Sequence, residues 1–372
     1  IKQILNFSDD IELQQITDRS NTGLSTWYLV RLPDSKSQQM QIADNSGYLE
    51  HSQANHSFKI HSSVPNDPLY VDQWYHTKIQ AVESWEQYNQ DGKVILAIID
   101  TGVDYLHPDL IGSLWINIPE DLNGNGLLDS EDINDIDDDG NGYVDDVIGW
   151  DFTDAPRFAD GGDYLDPDND PMDDYFGGHG TKIAGIIGAQ TGNSIGIAGL
   201  TPGLRMMNLR AGTAGGYLEE DDVARAVLYA IDNGARVINM SFGDIVISRF
   251  LKDVIEYAYS EGVVVVASSG NSGTDVIHYP SGLPQTISVG ASDQNDQRTG
   301  FSNWGHTIDL VAPGNEILSP RAGGGYEPVN GTSFSAPMVT ATVGLLLSNN
   351  PSFTPEQIRN ILKTTADDIG LY

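Results

Sequence analysis

Along most of the chain, short apolar runs alternate with segments whose apolar residues recur every three to four positions. The near-continuous runs Val94–Ile99, Arg205–Leu209, Val237–Met240 and Val263–Ala267 read as strands buried on both faces. Thr286–Val289 and Ile308–Val311 are two further strand candidates. Between the runs, residues 219–233 place Val223, Val227, Ala230 and Ile231 on one helical face and stop at Gly234. Residues 248–261 do the same with Leu251, Val254, Ile255 and Ala258, and stop at Gly262. A helical run containing Ile183, Ala184, Ile186 and Ile187 opens at His179, and helices are predicted over 333–348 and 355–365. Strand and helix in alternation from about residue 78 predict an α/β fold: a doubly wound, mostly parallel sheet with helices on both faces. Sites in such sheets form at the carboxyl ends of strands.

The first 61 residues follow another pattern. Thr26–Leu32 is a β-type run closed by Pro33-Asp34, residues 38–45 fit a short helix, and 57–61 fit a second strand. These predict a small α+β unit over residues 1–61, a linker over 62–68, and a main domain over 69–372. The small unit contains no reactive cluster. The chain opens on Ile1, from which we expect a fragment with any signal peptide upstream.

Apolar residues make up 39% of the chain and no run approaches the roughly 18 residues of a membrane span, so a soluble globular protein is expected. The absence of cysteine excludes disulfides, a thiol nucleophile and thiolate metal sites. A net charge of −34 argues against a nucleic-acid partner. The acids are unevenly spread: residues 120–174 hold 20 of the 53, with Arg157 as the only base. Clustering of this kind favours a cation-binding insert, bounded here at 117–175, over a generally acidic surface. Asp121, Asn123, Asn125, Asp129 and Asp132 fall at positions 1, 3, 5, 9 and 12 of an EF-hand-like loop, with Gly126 at position 6. Asp135, Asp137, Asp139, Gly140 and Asp146 repeat the spacing, with Asn141 among them. A solvated acidic loop is the alternative, although so many carboxylates would repel one another without a cation.

Four short segments carry the candidate chemistry. Asn330-Gly331-Thr332-Ser333 precedes an apolar helix, where a serine can serve as nucleophile or simply as an N-cap. Asp100 ends the first strand in Asp100-Thr101-Gly102 and reads as a turn aspartate or a strand-end carboxylate. An aspartic protease would need the tripeptide twice in a β-rich chain, and it occurs once. His179 stands between glycines at a helix start, whereas His107 in His107-Pro108-Asp109 reads as structural. Asn271, flanked by Gly270 and Gly273 after the fourth run, is a turn asparagine or an oxyanion donor. The order Asp, His, Ser is one of three convergent triad orders.

The segments AIIDTGVDYLHPDL, GGHGTKIAGIIG, ASSGNSG and NGTSFSAPMVTA resemble the active-site signatures of the subtilases, the subtilisin-like serine proteases, and the resemblance spans roughly residues 66–368. It implies a serine endopeptidase in which Ser333 is the nucleophile, His179 the general base, Asp100 the orienting carboxylate and Asn271 the oxyanion donor. It implies an extended protein or peptide substrate along Ser241-Phe242-Gly243 and along Gly215-Gly216. It implies a calcium loop at Asn193, Ile195 and Ile197, closed by Asp109 and Asp67; in the acidic insert, the loop spacing itself leads to the expectation of structural Ca2+. The first 61 residues occupy the place of a prodomain that inhibits its own enzyme, the alternative being an ordinary packing domain. The setting is secreted or cell-surface, and a further short helix is expected past Tyr372. Lys182 stands where relatives usually have histidine, and Phe334-Ser335 where they have Met-Ala. A non-catalytic calcium-binding or adhesion module on the same fold is the competing function.

Overall fold

The computed structural model describes residues 12–15, 28–31, 64–88, 94–175 and 177–370. Internal contacts divide the chain into units 1–61 and 62–372. In the first unit, strands β1 (Glu12–Gln15) and β2 (Tyr28–Arg31) pair antiparallel, with Glu12 opposite Arg31. β2 lies in the run expected to be a strand; β1 has no counterpart in the pattern, and the helix at 38–45 and strand at 57–61 fall outside the described residues.

The second unit is built on a seven-stranded parallel sheet. Its strands are β3 (Ile95–Asp100), β4 (Gly149–Asp151), β5 (Arg205–Arg210), β6 (Ala235–Met240), β7 (Val264–Ser268), β8 (Thr286–Ser292) and β9 (Leu310–Pro313). The order across the sheet is β4-β5-β3-β6-β7-β8-β9. β3 therefore lies where the winding reverses, and Asp100 is its last residue. That is the place at which parallel sheets open a crevice.

Alternate residues of the buried strands feed two cores. Leu96, Ile98, Val264 and Val266 pack on one face with α3 (His179–Gly188) and α6 (Thr332–Asn349). Ala97, Ile99, Val265 and Ala267 pack on the other with α4 (Glu220–Asp232) and α5 (Arg249–Ser260). The apolar stripes of α4 and α5 face the sheet as their periodicity predicts, with Ser248 capping α5 through the Leu251 N–H. α7 (Pro355–Thr365) begins with a capping box between Thr354 and Gln357. Two short helices, α1 (Trp74–Lys78) and α2 (Ala81–Trp85), precede the sheet. A hairpin of β10 (Ile317–Pro320) and β11 (Tyr326–Val329), absent from the hydrophobic reading, lies before α6. No helix among the described residues is long and apolar enough to cross a membrane.

Candidate active site and cation loops

Asp100 and His179 are brought together by a close approach of helix to strand end. A side chain at Gly180 would come within 2.1 Å of the Gly102 carbonyl, so only glycine lets α3 start there. Gly178 supplies the left-handed turn into the helix, at φ 58°. His179 Nδ1 then lies 2.7 Å from Asp100 Oδ1. A carboxylate only accepts, so Nδ1 carries the proton and Nε2 is left as an acceptor. Asp100 is 2% exposed and the histidine 25%. Burial disfavours charge on the ring, but Asp100 beside it overrides this and carries the His179 pKa above its usual 6.5, with Asp173 adding and Lys182 subtracting.

Ser333 sits in the first turn of α6, 8% exposed. Pro337, inside the helix, has no N–H to offer the Ser333 carbonyl four residues back. The Ser241 hydroxyl takes that place, donating to Ser333 O at 2.8 Å. In return the Ser333 hydroxyl donates to Ser241 O at 2.9 Å. Ser241 is itself fixed by Asn239 Nδ2 at 2.9 Å, and Asn239 by Thr340 at 2.9 Å. In this resting arrangement Ser333 Oγ is engaged by Ser241, not by His179; bonds of this kind commonly align only when substrate arrives. Phe334 packs its ring against His179, centroids 5.6 Å apart.

Asn271 Oδ1 accepts the Thr332 N–H at 2.8 Å and Thr332 Oγ1 at 3.0 Å. The amide oxygen is thus occupied. Asp100, His179, Ser333, Asn271, Ser241, Phe242, Gly243, Gly215 and Gly216 all line one cleft of ≈ 280 Å³. The Gly215 N–H is already taken by Asp160 and the Gly216 N–H by Thr213 O, which leaves the carbonyls of that edge for pairing.

Two further residues brace the turn and helix that carry Asp100 and His179; Asp173 escapes sequence reasoning, in which Lys182 enters only as a departure from the family pattern. Asp173, 7% exposed, accepts from Thr101 Oγ1 at 3.0 Å and Thr181 Oγ1 at 2.6 Å, and burial raises its pKa to about 6. It braces the turn after Asp100 against α3, yet in sequence it is one acid among many. Lys182 bonds the Gly177 carbonyl and pairs with Glu327 Oε1 at 2.6 Å, tying α3 to β11.

The residues expected in the cation loops are linked by hydrogen bonds. Asp67 accepts the N–H groups of Gly192 (2.8 Å) and Asn193 (3.3 Å); Asp109 accepts Asn193 Nδ2 at 2.9 Å and the Ile197 N–H at 3.0 Å. Asn193 Oδ1 is turned back onto the Ile195 N–H at 2.7 Å. In the insert, Asp121 accepts the N–H groups of Asn125 and Gly126, Asn125 reaches Asp129, and Asp132 closes onto the Leu122 and Asp129 N–H groups. The second loop repeats this with Asp137, not Asp135, in the first position: Asp137 accepts from Asn141 and Gly142. The spacing thus slips by two residues; Asp135 is exposed, and Asp146 is taken up by Asn117, Asn141 and Tyr229. All donor groups are oxygens, which suits a hard cation such as calcium. A third group brings carboxylate oxygens of Asp151, Asp163 and Asp168 within 4.8 Å of one another, and Arg210 Nη1 lies 3.1 Å from Asp151.

A helix-start serine beside a carboxylate–imidazole pair, at the carboxyl edge of a doubly wound sheet, fits the serine hydrolases as a class. Residues 91–371 match the model of the subtilase family. The chain is 35% identical over 308 residues to thermitase of Thermoactinomyces vulgaris, covering 82% of this chain and 93% of that one. It is 33% identical over 332 residues to the thermophilic serine proteinase of Bacillus sp. strain AK1, covering 89% and 71%. Among solved structures, a protease of Pseudoalteromonas arctica PAMC 21717 superposes with a TM-score of 0.68 at 25% identity, over 83% of this chain and 94% of that one. The chain belongs to the subtilase family and is a serine endopeptidase.

Proposed function

We propose that the chain hydrolyses peptide bonds through Ser333, His179 and Asp100, with Asn271 and the Ser333 N–H as oxyanion donors. The observation that carries this reading is the 2.7 Å Asp100–His179 pair in one cleft with Ser333 and Asn271. Ser333 Oγ attacks the scissile carbonyl while His179 Nε2 takes its proton. The oxyanion is met by Asn271 Nδ2 and by the Ser333 N–H, one of the free donors of a helix's first turn. His179 returns the proton to the leaving amine, giving an acyl-enzyme on Ser333. Water, activated by the same nitrogen, releases the acid product. Asp100 holds the ring in the required tautomer and favours its charged form.

Structural calcium is part of the proposal, held by Asp67, Asp109 and Asn193 in one loop and by the two loops of the insert. It braces the fold and enters no chemical step. A secreted or cell-surface setting belongs to the same reading, because loops rimmed by exposed acids suit the calcium levels outside cells. Residues 1–61 act as an intramolecular inhibitor; their position before the enzyme unit and their separate contact set support this.

A fluorophosphonate probe tests the mechanism. It labels Ser333 in the mature enzyme, and the label disappears in His179→Ala. Failure to label the mature wild-type protein would favour a binding module on the same fold.

A further inference from the structure

Glu120 is a carboxylate with no exposure to solvent, next to the first acidic loop. Its Oε1 accepts the N–H groups of Asp138 at 2.8 Å and Asp139 at 3.3 Å, so it reaches across 18 residues into the second loop. Its Oε2 is buried and has no hydrogen-bond partner. One carboxylate oxygen each from Glu120, Asp137 and Asp139 lie within 4.8 Å of one another.

A buried, unpartnered anionic oxygen is among the most costly groups a fold can carry, and two further carboxylates beside it add repulsion. In the other carboxylate group of the insert, Asp151 has Arg210 as a counter-charge at 3.1 Å. Among the described residues no base pairs with Glu120, whose charged neighbours are the carboxylates Asp139 and Asp146. A proton on Glu120 would relieve that one group and leave Asp137 and Asp139 side by side, whereas a cation balances all three.

The loop itself needs an outside ligand. An EF-hand loop closes with a bidentate carboxylate at its twelfth position. Counted from Asp137, the twelfth residue is Ile148, which is buried and apolar. Glu120 brings the missing carboxylate from outside the loop.

We propose that Glu120, with Asp137 and Asp139, forms a divalent-cation site in which Glu120 is the closing ligand and calcium the occupant. The proposal rests on the reading that the insert binds calcium. It adds a ligand that the loop spacing does not contain and removes Asp135 and Asp146 from the ligand set. The site ties the first loop to the second, so filling it stiffens both.

The test is a calorimetric calcium titration of chelator-treated protein, carried on a Ser333→Ala background to prevent self-digestion. Glu120→Gln loses one binding event or weakens it at least tenfold, whereas Asp135→Asn leaves every event unchanged. A full set of unaltered events in Glu120→Gln overturns the proposal and leaves the calcium reading standing. A background protein that binds no calcium overturns both. Should Glu120→Gln fail to fold, crystals of the background protein soaked in terbium decide: an anomalous peak at about 2.4 Å from Glu120 Oε2 supports the site. A terbium peak in the second loop out of reach of Glu120 overturns it.

Discussion

Asp100 Oδ1 stands 2.7 Å from His179 Nδ1, and this contact sets both the tautomer and the charge preference of the ring. With the pKa of His179 raised above 6.5, the neutral base needed for attack is lost as pH falls through that raised value. The acid limb of kcat/KM therefore lies above the ordinary histidine range. Asp100→Asn moves the limb to lower pH and lowers kcat by about 10⁴, the size of the same change in other serine peptidases. Initial rates on a chromogenic peptide between about pH 5 and pH 9 measure both. An unmoved limb in Asp100→Asn would remove Asp100 from the mechanism.

Lys182 works against Asp100. Its ammonium, held by the Gly177 carbonyl and Glu327, disfavours a second positive charge on the nearby imidazole. Lys182→Met moves the acid limb of kcat/KM to higher pH. A limb that stays in place, in a variant with unchanged melting temperature, shows that solvent screens the lysine from the ring.

The amide oxygen of Asn271 is pinned by Thr332 at 2.8 Å and 3.0 Å, which restrains the amide plane and with it the NH₂ group proposed as oxyanion donor. A donor fixed in this way acts on the transition state more than on bound substrate. Asn271→Leu lowers kcat by about 10²–10³ with KM nearly unchanged, the range known for the corresponding donor of a subtilisin. Thr332→Val, which removes one of the two pins, gives a smaller loss in kcat. Equal losses in kcat and 1/KM would point to a role in ground-state binding instead.

Much of this was readable in advance, for a physical reason. β3, β7 and the stripes of α4 and α5 bury whole faces, so their residues must be apolar at fixed periods. The reactive groups lie at the ends of those elements, which the same periods locate. Contacts between distant segments left no such trace. Asp173 and Glu120 are single acids in an acidic stretch, and only the fold shows that both are buried. The second loop offered two overlapping frames, since Asp135, Asp137 and Asp139 fit the 1, 3, 5 spacing as well as Asp137, Asp139 and Asn141 do. The hydrogen bonds of Asn141 and Gly142 to Asp137 choose between them. Pro337 announces a freed carbonyl at Ser333, but nothing local says that Ser241 will fill it. β4 has three residues and the β10–β11 hairpin contains prolines, so neither shows a strand period.

Calcium bound as proposed stabilises the fold through mass action, so its removal is expected to lower stability. A site saturated a hundredfold above its Kd contributes about 2.7 kcal/mol, worth several degrees of Tm in a chain of this size. A chelator in excess therefore lowers the melting temperature of the mature enzyme by about 5 °C or more for each such site. Asp109→Asn, which weakens the loop shared with Asp67 and Asn193, reproduces part of that loss and leaves the chelator less to remove. Scanning calorimetry with and without chelator, with the metal content checked by elemental analysis, measures it. An unchanged Tm after verified metal loss counts against all the loops.

If residues 1–61 are the proposed inhibitory unit, cleavage is expected between residues 61 and 66, and the contacts of the second unit bound it on one side. A scissile segment must enter the cleft extended, with its backbone free. From Asn66 onward the chain is committed: Asn66 Nδ2 donates to Ser194 Oγ at 2.9 Å, Asp67 accepts the Gly192 N–H at 2.8 Å, and the Leu69 N–H bonds Gly196 O at 2.8 Å. A bond within that tether would have to break these contacts first. The wild-type chain therefore shortens on purification to a product whose new amino terminus lies just before Asn66, as terminal sequencing reads. Ser333→Ala remains at 372 residues. Processing in cis proceeds at a rate independent of protein concentration, and dilution of freshly refolded wild-type chain checks this. A wild-type enzyme that digests casein while staying full length would sink the cleavage and, with it, the inhibitory role of the first unit.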